Sequence, residues 1–461
     1  MFHKVSIFSI LFWILSSYAV YSQESDSEID ISQPLTLDAC LVYAFQNSET
    51  IRIAELEKAI SKADVGITKS QGLPQLNGSV NYNNNFAIQT QFLPAVFFAD
   101  DPNEVPANAP PVPVRFGVNH TGTAGVSLSQ MLFDGSYFVG LEAARTYTEL
   151  SEKSYHQSKV QVAEQITKAY YTVLVNQERQ VLVSSNYKRL DTLLRETRLM
   201  YENGFVEEID VDRLLVQYNN SKVEQENISR VTELSYYLLK FQMGIPVEQE
   251  ITLSGNIADI DFDPEITAES EFQYEQRPEY AQILVNQELA QLDMKNNRVQ
   301  YIPKLTANAA FGYNTGVDDF SEIVSFSDRW FEYGFFGVTM DIPLFDGLRK
   351  HHLIQKNKVQ VRQLELQSRF LRNQIDLEIA QARVDLQNSL DALQIQEENL
   401  ALAQEVFRVT NIKYQEGVGS NLEVIDAENS LQAAETNYFN ALYNALIAKV
   451  DLKKALGILV E

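Results

Sequence analysis

Apolar and polar residues alternate with a period of two in four short runs of the chain, and follow a helical period over most of the remainder. In the first run Leu76, Gly78, Val80 and Tyr82 oppose Gln75, Asn77, Ser79, Asn81 and Asn83. The second sets Val118, Gly122, Ala124, Val126 and Leu128 against Asn119, Thr121, Thr123, Ser127 and Ser129. The third sets Leu305, Ala307, Ala309, Phe311 and Tyr313 against Thr306, Asn308, Gly312 and Asn314, and the fourth Phe336, Val338, Met340 and Ile342 against Gly337, Thr339 and Asp341. Alternate residues of a strand share a face, so each run predicts a strand with one apolar and one polar side. Each is about ten residues long, the length of a tilted strand that crosses the hydrocarbon of a bilayer. Any half-buried antiparallel strand alternates, but two features favour the membrane. The polar sides carry small neutral groups, as a hydrated lumen requires. Phe311, Tyr313, Trp330, Phe331, Tyr333, Phe335, Phe336 and Phe345 crowd the strand ends, where aromatic girdles form at the interface.

Residues 136–203 and 348–416 contain no proline and almost no glycine. At ~1.5 Å per residue each predicts a helix on the order of 100 Å long. In the second, Ile379, Leu386, Leu393, Leu400 and Phe407 fall seven apart, and Ile395, Leu402 and Val409 form another stripe on a different flank. A seven-residue repeat imposes a left-handed supercoil, and two stripes imply a neighbour on each side, as in the wall of a hollow α-barrel. The alternative is a solid bundle, a periplasmic coiled-coil structural scaffold.

The chain is a duplication. LMYENGFVEEIDV (199–211) resembles IKYQEGVGSNLEV (412–424), FQMGI (241–245) resembles KALGI (454–458), and MLFDGS (131–136) resembles PLFDGL (343–348), all at an offset of 212 or 213 residues. GLPQL (72–76) matches YIPKL (301–305) at an offset of 229, because the first repeat carries a longer proline-rich insertion. Repeat 1 is expected over 23–250, with an opening helix over Thr36–Ser70, a β-hairpin over 73–132, a long helix over 136–203 and a return helix over 207–243. Repeat 2 is expected over 251–461, with a helix over 278–300, a hairpin over 304–344, a long helix over 348–416 and a return helix over 421–457. The proline-rich stretch 94–113 predicts an irregular loop outside the cell.

Composition narrows the function. The net charge of −25 disfavours nucleic acid, whose phosphates need a basic footprint. Lys4, the apolar stretch from Val5 to about Val20 and the small residues Ala19 and Ser22 predict a signal peptide over 1–22. No other segment approaches about 18 consecutive apolar residues, so any crossing of a bilayer falls to strands. Four strands are too few to close a barrel, and an open edge in lipid leaves amides unsatisfied at several kcal/mol each. Copies must therefore share one barrel: two would give a filled interior, three a channel. Cys40, the one cysteine, reads as a buried small hydrophobe. No phosphate loop, nucleophile elbow or dinucleotide fingerprint appears. His351 and His352 are adjacent and point to different faces of a helix, which argues against shared metal ligation. No enzyme, no cofactor and no metal site is expected.

The LTLDAC opening helix, Pro74 and Pro303 before the strands, both FDG turns, both glycine-containing tips and the closing KALGIL together resemble the TolC family of outer-membrane efflux proteins over nearly the whole mature chain. The resemblance implies a mixed fold of helices and transmembrane strands. Three chains would form a homotrimer with a twelve-stranded β-barrel in outer-membrane lipid and an α-barrel in the periplasm. It implies a passive exit duct of a tripartite efflux or secretion system, energised by an inner-membrane transporter through a periplasmic adaptor. Carried over, the adaptor-docking tips are Gly204, Phe205 and Val206, and Gly417, Val418, Gly419 and Ser420; the acidic ring at the periplasmic aperture is Asp210, Glu423 and Asp426. The bland alternatives are turns between antiparallel helices and carboxylates favoured by helix dipoles. The chain departs from the family pattern in having Met131 where the second repeat has Pro343, in Glu207 and Glu208 at the first tip, and in lacking a lipid-acceptor cysteine. Drugs, metals and polypeptides all remain possible cargo.

Overall fold

The computed structural model describes residues 31, 33–101, 105–106, 108–255, 257, 272–324 and 329–460. The expected signal peptide lies outside them. Contacts divide the described residues into two units, one holding those up to Ser48 and from Ala169 to 257, the other Glu49–Lys168 and everything from 272 onward. This division does not follow the boundary between the repeats.

In the first unit Thr36 caps α1 (Leu37–Asn47), its hydroxyl accepting from the Ala39 amide at 3.2 Å. The continuous opening helix expected over Thr36–Ser70 is broken. Ser48 is extended (φ −61°, ψ 131°), and α2 (Glu49–Ser70) begins only after it. No proline forces the break, which belongs to tertiary packing. A Cβ on Gly244 would stand 2.9 Å from the Asn47 carbonyl oxygen, so the end of α1 is pressed against the turn that closes the first repeat.

The second unit contains the sheet. Its strands β1 (Gln75–Asn84), β4 (His120–Phe133), β5 (Lys304–Val317) and β6 (Phe331–Asp341) lie in that spatial order, all antiparallel, with β1 and β6 as free edges. A separate ribbon pairs β2 (Thr90–Leu93) with β3 (Val112–Arg115) on either side of the stretch 94–113, within which the 3₁₀ turn at Ala95–Phe98 and the first two residues of β3 are the regular parts among the described residues. Proline at 113 is tolerated because a two-stranded ribbon has only edges.

Cross-strand partners share a face, so the register assigns every side chain. Leu76–Leu128–Ala309–Phe336 and Gly78–Val126–Phe311–Gly334 form rows of an apolar face. Asn77–Ser127–Ala310–Phe335, Ser79–Gly125–Gly312–Tyr333 and Asn81–Thr123–Asn314–Phe331 form rows of the polar one. This corrects one expectation. Phe331, Tyr333 and Phe335 do not join Phe336 in a girdle on the apolar side; the pleat turns them to the side of the asparagines and threonines.

The long helices are α3 (Gly135–Glu202), of 68 residues, and α7 (Arg349–Gln415), of 67. They are followed by return helices α4 (Glu208–Met243) and α8 (Asn421–Ala455). The second repeat opens with α5 (Pro278–Val299), and a short α6 (Phe320–Val324) links β5 to β6. Of the first heptad stripe of α7, Ile379, Leu386 and Phe407 are buried, and Ile379 and Leu386 share a core with Ala448 and Leu452 of α8. Ile395 and Leu402 of the second stripe remain exposed, at 56% and 65%. Arg277, ahead of α5, is buried; its guanidinium donates to the Ala455 carbonyl at 2.9 Å and to Glu378 at 3.0 Å, tying the start of α5 to the end of α8 and to α7.

Candidate functional site

Each long helix turns back through a glycine in the left-handed region that side chains other than Gly rarely adopt. At the first tip Gly204 has φ +78°, its amide donates to the Tyr201 carbonyl at 2.9 Å, and the Phe205 amide donates to Met200 at 2.9 Å. At the second Gly417 has φ +73°, its amide donates to Tyr414 at 3.1 Å, and the Val418 amide donates to Lys413 at 2.9 Å. The paired spacings are those of the Schellman motif, so the sequence repeat is also a repeat of hydrogen bonds. Each tip then presents one bare apolar side chain, Phe205 at 81% and Val418 at 79% exposure. Gly419 has no such φ, but a Cβ there would meet Lys413 Cβ and the Tyr414 amide at 3.1 Å. Val206 is half-buried.

The acidic candidates sit on the first turns of the return helices. Asp210 closes a capping box: the Glu207 side chain accepts from the Asp210 amide, and Asp210 Oδ2 accepts from the Glu207 amide at 3.4 Å. Arg213 lies 3.7 Å from Asp210 Oδ1. Asp210 therefore has a structural occupation whatever else it does. In α8, Ser420 is the N-cap, its hydroxyl accepting from the Glu423 amide at 3.3 Å. Glu423 and Asp426 are both exposed on the same side of α8, one turn apart, with Val424 and Ile425 buried between them.

An ion network that the residue pattern did not reveal links α3 to α8 within the second unit. Lys168 lies 2.9 Å from Glu164 and 2.6 Å from Asp451, and Lys454 lies 2.9 Å from Glu164. Burial pushes the Glu164 carboxyl upward, but hydrogen bonds from Lys454 and Lys168 outweigh it and hold the group below its ordinary value. Burial likewise lowers Lys168, and its bonds to Asp451 and Glu164 reverse that and raise it. At the start of α3 and α7, next to the sheet, each FDG aspartate holds a lysine: Asp134 with Lys304 at 2.6 Å, Asp346 with Lys350 at 3.0 Å. The rings of His351 and His352 cross at 78°, 5.4 Å apart. Among the described residues no three His, Cys, Asp or Glu side chains gather as a metal would need, and no helix is long and apolar enough to cross a membrane.

Known proteins share this architecture. A sequence model described as outer membrane efflux protein matches residues 41–230 and 274–458. Outer membrane protein TolC of Vibrio cholerae is 22% identical over 355 residues, 74% of this chain and 77% of that protein. The pyoverdine export outer membrane protein OpmQ of Pseudomonas aeruginosa is 24% identical over 437 residues, 91% of this chain and 85% of that protein. The crystal structure of the Campylobacter jejuni CmeC outer membrane channel superimposes with a TM-score of 0.70 at 17% identity, covering 91% of this chain and 85% of that one.

Proposed function

Because the chain belongs to the outer membrane efflux protein family, we propose that three copies assemble into one conduit, docked through its helical tips to a periplasmic adaptor. The chain is an outer-membrane export channel, and its family is one of transport proteins. The observation that carries the finer reading is the sheet: four antiparallel strands end in two unpaired edges, β1 and β6. In lipid an unpaired edge strands its amides and carbonyls without partners. Pairing β6 of one copy with β1 of the next satisfies both. Two copies give an eight-stranded barrel, an interior that side chains fill; three copies of four strands give twelve, the smaller closure that leaves a bore.

The helices support the same count of neighbours. Ile395 and Leu402 form an apolar stripe on α7 that its own chain leaves in water, and a second copy covers it in a closed ring of helices. The duct is passive. An inner-membrane transporter supplies the energy, and the adaptor meets Gly204, Phe205 and Val206 at one tip and Gly417, Val418, Gly419 and Ser420 at the other. Asp210, Glu423 and Asp426 line the mouth as rings of carboxylates. Light scattering of the detergent-extracted full-length protein tests the assembly: a mass of three chains is expected, and a lone subunit overturns it.

A further inference from the structure

The polar face of the sheet is interrupted on one strand only. On β1, β4 and β5 the middle rows of that face carry Asn, Ser, Thr, Ala and Gly, with no charged side chain. On β6 the same rows carry Phe331, Tyr333 and Phe335. We propose that these three rings form a ladder along the bore of the barrel that holds planar aromatic solutes in transit. The inference rests on the barrel reading above and adds the chemical class of the cargo.

The rings stand free on that face. Phe331 and Phe335 are 64% and 59% exposed, and Tyr333 lies flat over a bed that only glycine provides. A Cβ on Gly125 or Gly312 would stand 3.0 or 3.1 Å from the Tyr333 hydroxyl. Across the copy boundary, the edge that β6 pairs with is β1, whose matching face offers only Gln, Asn and Ser. Those side chains are too short and too polar to bury three rings. A strand that served closure alone would carry what its three neighbours carry. Residues two apart on a strand are about 7 Å apart, within the range of ring separations at which aromatic pairs attract. A flat solute leaving one ring is therefore already within reach of the next. The absence of charge in these rows removes any preference by sign and leaves stacking to discriminate.

The test uses the full-length protein reconstituted in planar bilayers, with tryptophan amide and leucine amide as probes of equal charge. Tryptophan amide is expected to interrupt single-channel current with dwell times about tenfold longer than leucine amide. The variant carrying Phe331→Ser, Tyr333→Ser and Phe335→Ser loses that difference, whereas Phe336→Leu, on the opposite face, retains it. Equal dwell times for the two probes, or an undiminished difference in the serine variant, overturn the ladder. Single replacements give a second readout that does not depend on the triple variant assembling. Phe335→Cys is expected to react with a membrane-impermeant thiol reagent in the assembled protein and Phe336→Cys is not; the reverse pattern overturns the assignment of faces. Channels without discrimination sink the ladder alone, and absence of any channel sinks the duct reading with it.

Discussion

The hydroxyl of Tyr333 occupies the space that a side chain on Gly125 would need: a Cβ built on that glycine stands 3.0 Å from it. Gly125 is the direct cross-strand partner of Gly312, and a Cβ on Gly312 would stand only 2.5 Å from the Ala124 carbonyl oxygen and 2.7 Å from Gly125 Cα. Both contacts are with backbone, so no rotamer relieves them. Strands β4 and β5 must part locally for any larger residue. Gly312→Ala is therefore expected to destabilise the sheet by about 1–3 kcal/mol, the range for overpacking. The loss is read as a lower dissociation temperature of the detergent-extracted assembly. Gly337→Ala, whose Cβ would meet nothing within 4 Å, is the matched control and should leave that temperature unchanged.

The two tips separate backbone from contact. Gly417 has φ +73° with open space around a Cβ, so a substitution there is opposed by backbone conformation and not by crowding. Gly417→Val is expected to cost about 1–2 kcal/mol locally and to abolish export while the assembly remains intact. Gly417→Asn, which tolerates the left-handed region, should restore much of the export. Val418→Asp keeps the turn and changes only the exposed apolar side chain; loss of export in that variant, with normal abundance in the outer membrane, assigns the effect to docking. Normal export in both Gly417→Val and Val418→Asp would remove the tips from the docking surface.

The ion network of Glu164, Lys168, Asp451 and Lys454 makes stability depend on pH with a definite sign. The Glu164 carboxyl is held below its ordinary 4.5, so its contribution is full above that value and fades as pH falls through the depressed one. The Lys168 ammonium is held above its ordinary 10.5, so its contribution is full below that value and fades as pH rises through the raised one. Between those limits the network is fully charged. Glu164→Gln is expected to cost about 1–3 kcal/mol at neutral pH, because two lysines lose a charged acceptor. Circular-dichroism melts of both proteins test this: the gap between them should narrow below pH 4.5, and a gap independent of pH would exclude the network as its source.

Most of the architecture was legible because it is written in periods. The alternation of Leu76, Gly78, Val80 and Tyr82 against asparagines and serines identified a strand and its faces, and the offset that pairs Gly204 with Gly417 located both turns. Three features escaped for different physical reasons. The break at Ser48 has no local breaker, only the pressure of Gly244 on the end of α1. The faces of Phe331, Tyr333 and Phe335 depend on register with β5, which hydrophobicity alone misassigns because an aromatic residue suits either a girdle or a bore. Lys168 is an i,i+4 neighbour of Glu164, but the other members of that network, Asp451 and Lys454, are hundreds of residues away in sequence, beyond any spacing rule. The tips and acidic residues could be located as turns and first-turn carboxylates, but the docking and lining roles proposed for them depend on other molecules, which leave no period in one chain.

The acidic candidates are not equivalent, and their differences predict how a neutralisation series should behave. Asp210 accepts from the Glu207 amide and faces Arg213, so part of its charge is already answered within its own helix. Glu423 and Asp426 lie exposed, one turn apart on α8, and in the proposed trimer each would form a ring whose like charges repel one another and concentrate cations at the mouth. Glu423→Gln with Asp426→Asn is therefore expected to raise the single-channel conductance and weaken block by multivalent cations, with an effect that shrinks as salt rises beyond the ~10 Å screening length of 0.1 M solution. Asp210→Asn alone should change conductance less and instead lower stability by about 0.5–1 kcal/mol through the weakened capping box. Conductance and cation block unchanged in the double variant would place those carboxylates away from the aperture; a larger effect from Asp210→Asn than from the pair would mean that the capping box opens in the assembled duct.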